Sequence, residues 1–180
     1  ANGSDKMETK TYPTVIEGIE NPIQVSRGKN HNLVLDKNGD VWCWGSNTNN
    51  PMGTLGGKVK KASKMTGISN VKQIAAGTEF SIFIKNDGTL WGVGKNDKGQ
   101  IGQGNTDDYL TPTQITAMKT FKKVSAGESF VVALAEDGLY SWGANTDGQI
   151  GNGTTDDEYI PVKLNAELEN GEYFTDISAG

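Results

Sequence analysis

Histidine and cysteine are almost missing from this chain: one of each, His31 and Cys43, occurs in 180 residues. A lone cysteine excludes an internal disulfide and a cysteine-built zinc site. Cys43 lies between Trp42 and Trp44 and reads as a small packed core residue. A lone histidine leaves a Ser-His-Asp triad one candidate base, and nothing around His31 marks such a triad. Long apolar runs are also absent. No window of 18 residues is apolar, which excludes a membrane-spanning helix, and the stretch ANGSDKMETKTYPT has no apolar core of a signal peptide. Phosphate loops are missing too. GTLGGK has the wrong glycine spacing, and GVGKND has Asp97 where a dinucleotide fingerprint needs glycine.

Basic charge is scarce. The net charge is −5 and the isoelectric point about 4.9, which argues against a nucleic-acid groove and against docking on an anionic membrane. The one local basic run, Lys58, Lys60, Lys61 and Lys64, reads as a solvated loop. What the chain does have is glycine, 24 residues of it, beside a hydrophobic fraction of 34%. With glycine the apolar share is about 47%, ordinary for a globular protein, which argues against global disorder. Carried by small residues, it suits short strands and tight turns.

A fixed period decides the architecture. The phrases VSRG, IAAG, VSAG and ISAG end at Gly28, Gly77, Gly127 and Gly180, with spacings of 49, 50 and 53 residues. After each of the first three come an apolar run (HNLVL, FSIFI, FVVAL), a turn dipeptide (Asn38-Gly39, Asp87-Gly88, Asp137-Gly138) and a second apolar run (VWCWG, LWGVG, LYSWG). Asn-Gly and Asp-Gly are strong hairpin signals and predict type I′ turns with φ > 0 at both central residues. The phrase before each hairpin adds a strand, and runs around proline such as TPTQIT and IPVKL add another, giving about four strands per unit of about 50 residues. Runs such as FSIFI do not alternate apolar with polar, so both faces of each sheet are buried, and a stack of such sheets around an axis is a β-propeller. The fold class is all-β. The expected organisation is a flexible segment over residues 1–12, then repeats over 25–73, 74–123 and 124–176, with a fourth beginning at 177.

These residues resemble the repeat of the regulator-of-chromosome-condensation family, over roughly residues 13–180. The marker residues are Gly28, Gly77 and Gly127, the turn glycines Gly39, Gly88 and Gly138, Trp44 and Trp142, and the phrases GQIGQG and GQIGNG. The first repeat departs, with Asn50 and Pro51 in place of glycine and glutamine, while Met52 keeps the apolar plug that Ile101 and Ile150 supply elsewhere; the second has Val93 in place of tryptophan. The resemblance implies four-stranded antiparallel blades, seven in family members. Seven would need about 350 residues at this period, so the chain is expected to be a fragment of a longer protein; self-association closing the ring and an open half-ring are the alternatives.

Function is carried by sites, not by folds. The expectation is a binding scaffold, not an enzyme, with no catalytic residue, cofactor, metal, nucleic acid or membrane partner. An unknown protein partner would meet loops at the propeller rim. The candidates are Asn96, Asp97, Asn145 and Asp147, and the acidic pairs Asp107–Asp108 and Asp156–Asp157. Those pairs offer oxygens to Ca²⁺ but lack an EF-hand spacing, and read first as solvated turns. Gln100 and Gln149 are expected to bond nearby backbone, and His31 to be a strand-start residue. The composition suggests a bacterial protein, secreted or displayed at the cell surface. Three other functions stand beside this one: nucleotide exchange on a small GTPase, as in the founding family member; inhibition of a secreted enzyme; and carbohydrate binding by an exposed tryptophan.

Overall fold

The computed structural model describes residues 12, 13, 15–117, 119–165 and 174–180. Apart from Tyr12, the segment expected to be flexible lies outside them. The described residues form twelve strands and no helix. The first sheet contains β1 (Pro22–Arg27), β2 (His31–Asp36), β3 (Val41–Ser46) and β4 (Lys58–Lys64). The second contains β5 (Val71–Ala76), β6 (Phe80–Lys85), β7 (Leu90–Gly94) and β8 (Tyr109–Gln114). The third contains β9 (Phe121–Ala126), β10 (Phe130–Ala135), β11 (Gly138–Gly143) and β12 (Glu158–Lys163). Each sheet is a four-stranded antiparallel meander in chain order, and the three do not close into a ring.

Two local expectations are corrected. The lysine run is not a loop. It is β4, the outer strand of the first blade, with Val59 and Ala62 buried and Lys58, Lys60 and Lys61 exposed. The hairpin turns are not type I′ either. Gly39 and Gly88 take positive φ (80° and 83°), whereas Asn38 and Asp87 do not. The Gly39 N–H donates to the Asp36 carbonyl (3.0 Å) and the Gly88 N–H to the Lys85 carbonyl (2.8 Å), a type I turn closed by a left-handed glycine. Side chains hold this form: Asp36 Oδ1 accepts the N–H groups of Asn38 (2.9 Å) and Asp40 (3.0 Å), and Asp87 Oδ1 accepts that of Thr89 (3.0 Å). In the third blade the loop shortens, Ala135 pairing directly with Gly138.

The core lies between the sheets. Leu33, Leu35, Cys43 and Met52 of the first blade pack with Ile74, Phe83 and Val93 of the second. Phe80, Ile82, Ile84 and Ile101 of the second pack with Phe121, Val131, Ala133 and Trp142 of the third. Strand β6 thus sends Phe83 into one seam and Ile82 and Ile84 into the other, which is why its run does not alternate. Polar staples repeat at the period. Gln24 exchanges two hydrogen bonds with the backbone of Ile74, both 2.9 Å, and Gln73 accepts from the Val124 N–H (3.0 Å). Ser26 accepts from the Ala76 N–H (2.9 Å) and Ser125 from the Ala179 N–H (3.0 Å), so the last residues lie along the inner strand of the third blade.

His31 opens β2 and is buried in the first seam. Ser81 Oγ donates to the Pro51 carbonyl (2.7 Å), so the contact between Ser81 Oγ and His31 Nε2 (3.1 Å) uses a ring N–H donated to the hydroxyl, the neutral imidazole. Burial lowers the His31 pKa to about 4. The imidazole lies against Gly28, as the rings of Phe80 and Phe130 lie against Gly77 and Gly127, where an added Cβ would come 1.9 Å from Phe80 and 2.2 Å from Phe130.

Two outcomes follow. Gly77→Ala forces a methyl group into the Phe80 ring and lowers stability by about 1–3 kcal/mol in urea unfolding, while Gly57→Ala, which meets nothing within 4 Å, leaves the midpoint in place. For His31, the unfolded ring protonates near pH 6.5 and the folded ring only near pH 4. Its contribution is therefore complete above the unfolded value and is lost as pH falls through that window, by about 3 kcal/mol. His31→Phe, the residue of the sister blades, removes that part of the pH 7 to pH 4 stability loss.

Candidate protein-binding face

Strand direction sorts the connections onto two ends. The short loops 28–30, 77–79 and 127–129 share one end with the long loops 47–57, 95–108 and 144–157, and the hairpin tips occupy the other. At the loop end, where the inner strands finish, Arg27, Lys29, Thr78 and Glu128 line an open hollow of ≈ 460 Å³ together with Gly28, Gly77 and Gly127.

Each long loop is wound around a buried asparagine. Asn47, Asn96 and Asn145 are 3%, 0% and 0% exposed. Their Oδ1 atoms accept the N–H groups of Met52 (2.8 Å), Ile101 (2.8 Å) and Ile150 (3.0 Å), the apolar plugs. Their Nδ2 groups donate to the carbonyls of Gly53 (2.8 Å), Asn105 (3.0 Å) and Thr154 (3.0 Å). Asn96 and Asn145, expected at the rim, are therefore interior residues whose amides are consumed by the loop; the physical reason is that a long loop needs a buried partner for its own backbone. Their repetition at one position was the sequence signal for this role. Gln100 and Gln149 stay local, accepting the N–H groups of Lys98 (2.8 Å) and Asp147 (2.9 Å).

The acidic pairs split into two roles. Asp108 accepts the Asn96 N–H (2.8 Å) and Asp157 the Asn145 N–H (2.9 Å), each closing its own loop. Asp157 also takes the Lys98 ammonium at 3.1 Å, tying the second blade's loop to the third's. That bond holds the Lys98 ammonium above the ordinary lysine pKa. The position of Lys98 is Asn49 in the first blade, whose amide reaches Glu79 at 2.8 Å. Asp107, Asp147 and Asp156 remain exposed. Asp97 is exposed beside Lys95 (2.9 Å); burial alone would raise its carboxyl, but hydrogen bonds from Lys95 and Gln100 outweigh it and hold the group below the usual range. Among the described residues no three His, Cys, Asp or Glu side chains converge on one point.

None of the four tryptophans is an exposed residue. Trp44 and Trp142 are buried, the latter donating to the Gln100 carbonyl (3.0 Å) across a seam. Trp42 and Trp91 are half-buried with their N–H groups on Asp36 (2.9 Å) and Thr89 (3.0 Å). The carbohydrate reading loses the exposed ring it required.

Asn145→Ala strands the Ile150 N–H and the Thr154 carbonyl and costs about 3 kcal/mol in chemical unfolding. Asp156→Asn leaves the midpoint unchanged.

Three stretches, residues 38–84, 87–134 and 136–180, match the family profile described as the regulator of chromosome condensation (RCC1) repeat, and a second profile of that description matches 23–50, 71–100 and 121–149. The chain is similar to Prp20p of Saccharomyces cerevisiae, at 26% identity and a TM-score of 0.77 over 91% of this chain and 42% of that one. It is also similar to yeast RCC1 (Prp20) in its complex with Kap60, at 27% identity and a TM-score of 0.73 over 83% and 38%. Human WBSCR16, at 22% identity and a TM-score of 0.77 over 88% and 42%, shares the fold. The chain thus spans about two fifths of the length of these proteins. No curated protein sequence matches it. The repeats and the propeller geometry place the chain in the RCC1 repeat family.

Proposed function

We propose that the chain is a binding scaffold whose loop end holds another protein through a basic surface of that partner. One observation carries the reading. Asp97, Asp107, Asp147 and Asp156 stand exposed on loops whose bases are locked by the buried amides of Asn96 and Asn145. A carboxylate on such a base is positioned without a large ordering cost on binding, and opposite charge on the partner speeds its encounter. The crystallographic description of Prp20p names its binding to Gsp1p and histones, and histones supply a basic probe. Display outside the cell belongs to the same proposal and rests on composition alone.

A second reading, nucleotide exchange on a small GTPase, draws on the similarity to Prp20p. None of the exposed carboxylates distinguishes it from simple binding.

Biolayer interferometry separates these. Histones bind the immobilised chain, more weakly as salt rises, and replacing Asp97, Asp107, Asp147 and Asp156 together by Asn weakens binding about tenfold with an unchanged melting temperature. Equal affinity in that variant overturns the loop-end reading. Release of labelled GDP from a small GTPase, accelerated by the chain, would favour exchange.

A further inference from the structure

Among the described residues Asn-Gly occurs twice, at Asn38-Gly39 and Asn152-Gly153. Asparagine before glycine is open to attack by its own backbone, because glycine has no side chain to shield its amide nitrogen from the neighbouring carboxamide. The structure treats the two pairs differently. The Asn152 carboxamide is fully engaged. Its Oδ1 accepts from Asn145 Nδ2 (3.2 Å), the Thr154 N–H (3.1 Å) and Thr154 Oγ1 (2.9 Å), and its Nδ2 donates to Glu158 (2.8 Å). Asn38 is exposed at the tip of the first hairpin, and its carboxamide makes no hydrogen bond among the described residues. That exposure belongs to the position. Asp87 stands there in the middle blade, packed on both sides by a neighbour, and is exposed too.

One contact restrains the nucleophile: the Gly39 N–H donates to the Asp36 carbonyl at 3.0 Å. Rotation of the 38–39 peptide releases it and leaves the Asn38 and Asp40 N–H groups on the Asp36 carboxylate, and glycine has the backbone freedom to follow. We propose that Asn38 is a site of spontaneous deamidation, with water as the reactant, whose isoaspartate product loosens the seam between the first and second blades. The Gly39 nitrogen, its proton lost to solvent, bonds to Asn38 Cγ. The Cγ–Nδ2 bond breaks, and Nδ2 takes up a proton and leaves as ammonia. Water then opens the cyclic imide. Attack at Cγ gives aspartate with the main chain intact; attack at the main-chain carbonyl carbon gives isoaspartate. Aspartate is what both sister blades carry in this dipeptide, as Asp87 and Asp137, so the fold accepts it. Isoaspartate adds a methylene to the main chain beside Gly39, where there is no slack. The Gly39 carbonyl takes the Val71 N–H (3.0 Å), and a Cβ on Gly39 would lie 3.1 Å from the Val71 backbone.

The chain is aged in mildly alkaline buffer at physiological temperature and mapped by peptide mass spectrometry. Isoaspartyl methyltransferase with a labelled methyl donor reads the isoaspartate. Asn38 loses its amide while Asn152 keeps it, and the methyl label falls on the Asn38 peptide. The aged protein melts at a lower temperature than the fresh one. Aged Asn38→Gln melts with its own fresh sample, and fresh Asn38→Asp melts with the fresh parent, which assigns the loss to the lengthened main chain and not to the added charge. Retention of the Asn38 amide, loss at Asn152 as fast as at Asn38, or an unshifted melt once residue 38 carries isoaspartate overturns the proposal.

Discussion

The structure depends on one constraint: the sheets bury apolar faces against one another, so a blade is held by its neighbours. The middle blade shows it most clearly. Phe83 enters one seam and Phe80, Ile82 and Ile84 the other, all fully buried. Each such side chain contributes about 1.5–3 kcal/mol by leaving water, and a whole domain is stable by only about 5–15 kcal/mol. Removing a neighbour exposes several at once. The unit of folding is therefore the stack, as in other repeat architectures.

That constraint explains which residues recur. Gln24 and Gln73 staple inner strands, Gly28, Gly77 and Gly127 admit a ring, and Asn47, Asn96 and Asn145 anchor the long loops. Each answers a demand every blade makes. Residues free of those demands diverge: the position of Asn49 and Lys98 reaches toward the next blade with different chemistry each time, and β4 has Ala62 where its sisters have proline, with exposed lysines beside it. Contact chemistry belongs on such divergent positions, held by a base that does not vary.

Much of the fold was legible in the chain. The spacing of the AG phrases, the turn dipeptides and the unbroken apolar runs led to twelve strands in three sheets, because a hairpin signal is local and a period is visible without coordinates. The turns were legible only in part. Asn-Gly favours φ > 0 at two residues, yet the Asp36 and Asp87 carboxylates hold the alternative form. The lysine run hid β4, since its exposed residues obscured the inward Val59 and Ala62. The candidate site was legible as a set of loops but not as a set of contacts. Asparagine in a glycine-rich loop looks solvated until the loop is seen to close over it.

The sequence alone determined the repeat, the strand content and the need for sheets to cover one another, because each follows from local conformational preference and from apolar residues that must leave water. Tertiary structure alone decided which polar groups face the solvent. Asn145 and Asp147 stand two residues apart, one at the centre of a loop and the other at its surface, and Asp157 differs from Asp156 in closing its loop and bridging to Lys98. The reason is that burial and hydrogen-bond partnership depend on where the chain returns in space, and no neighbour along the chain records that.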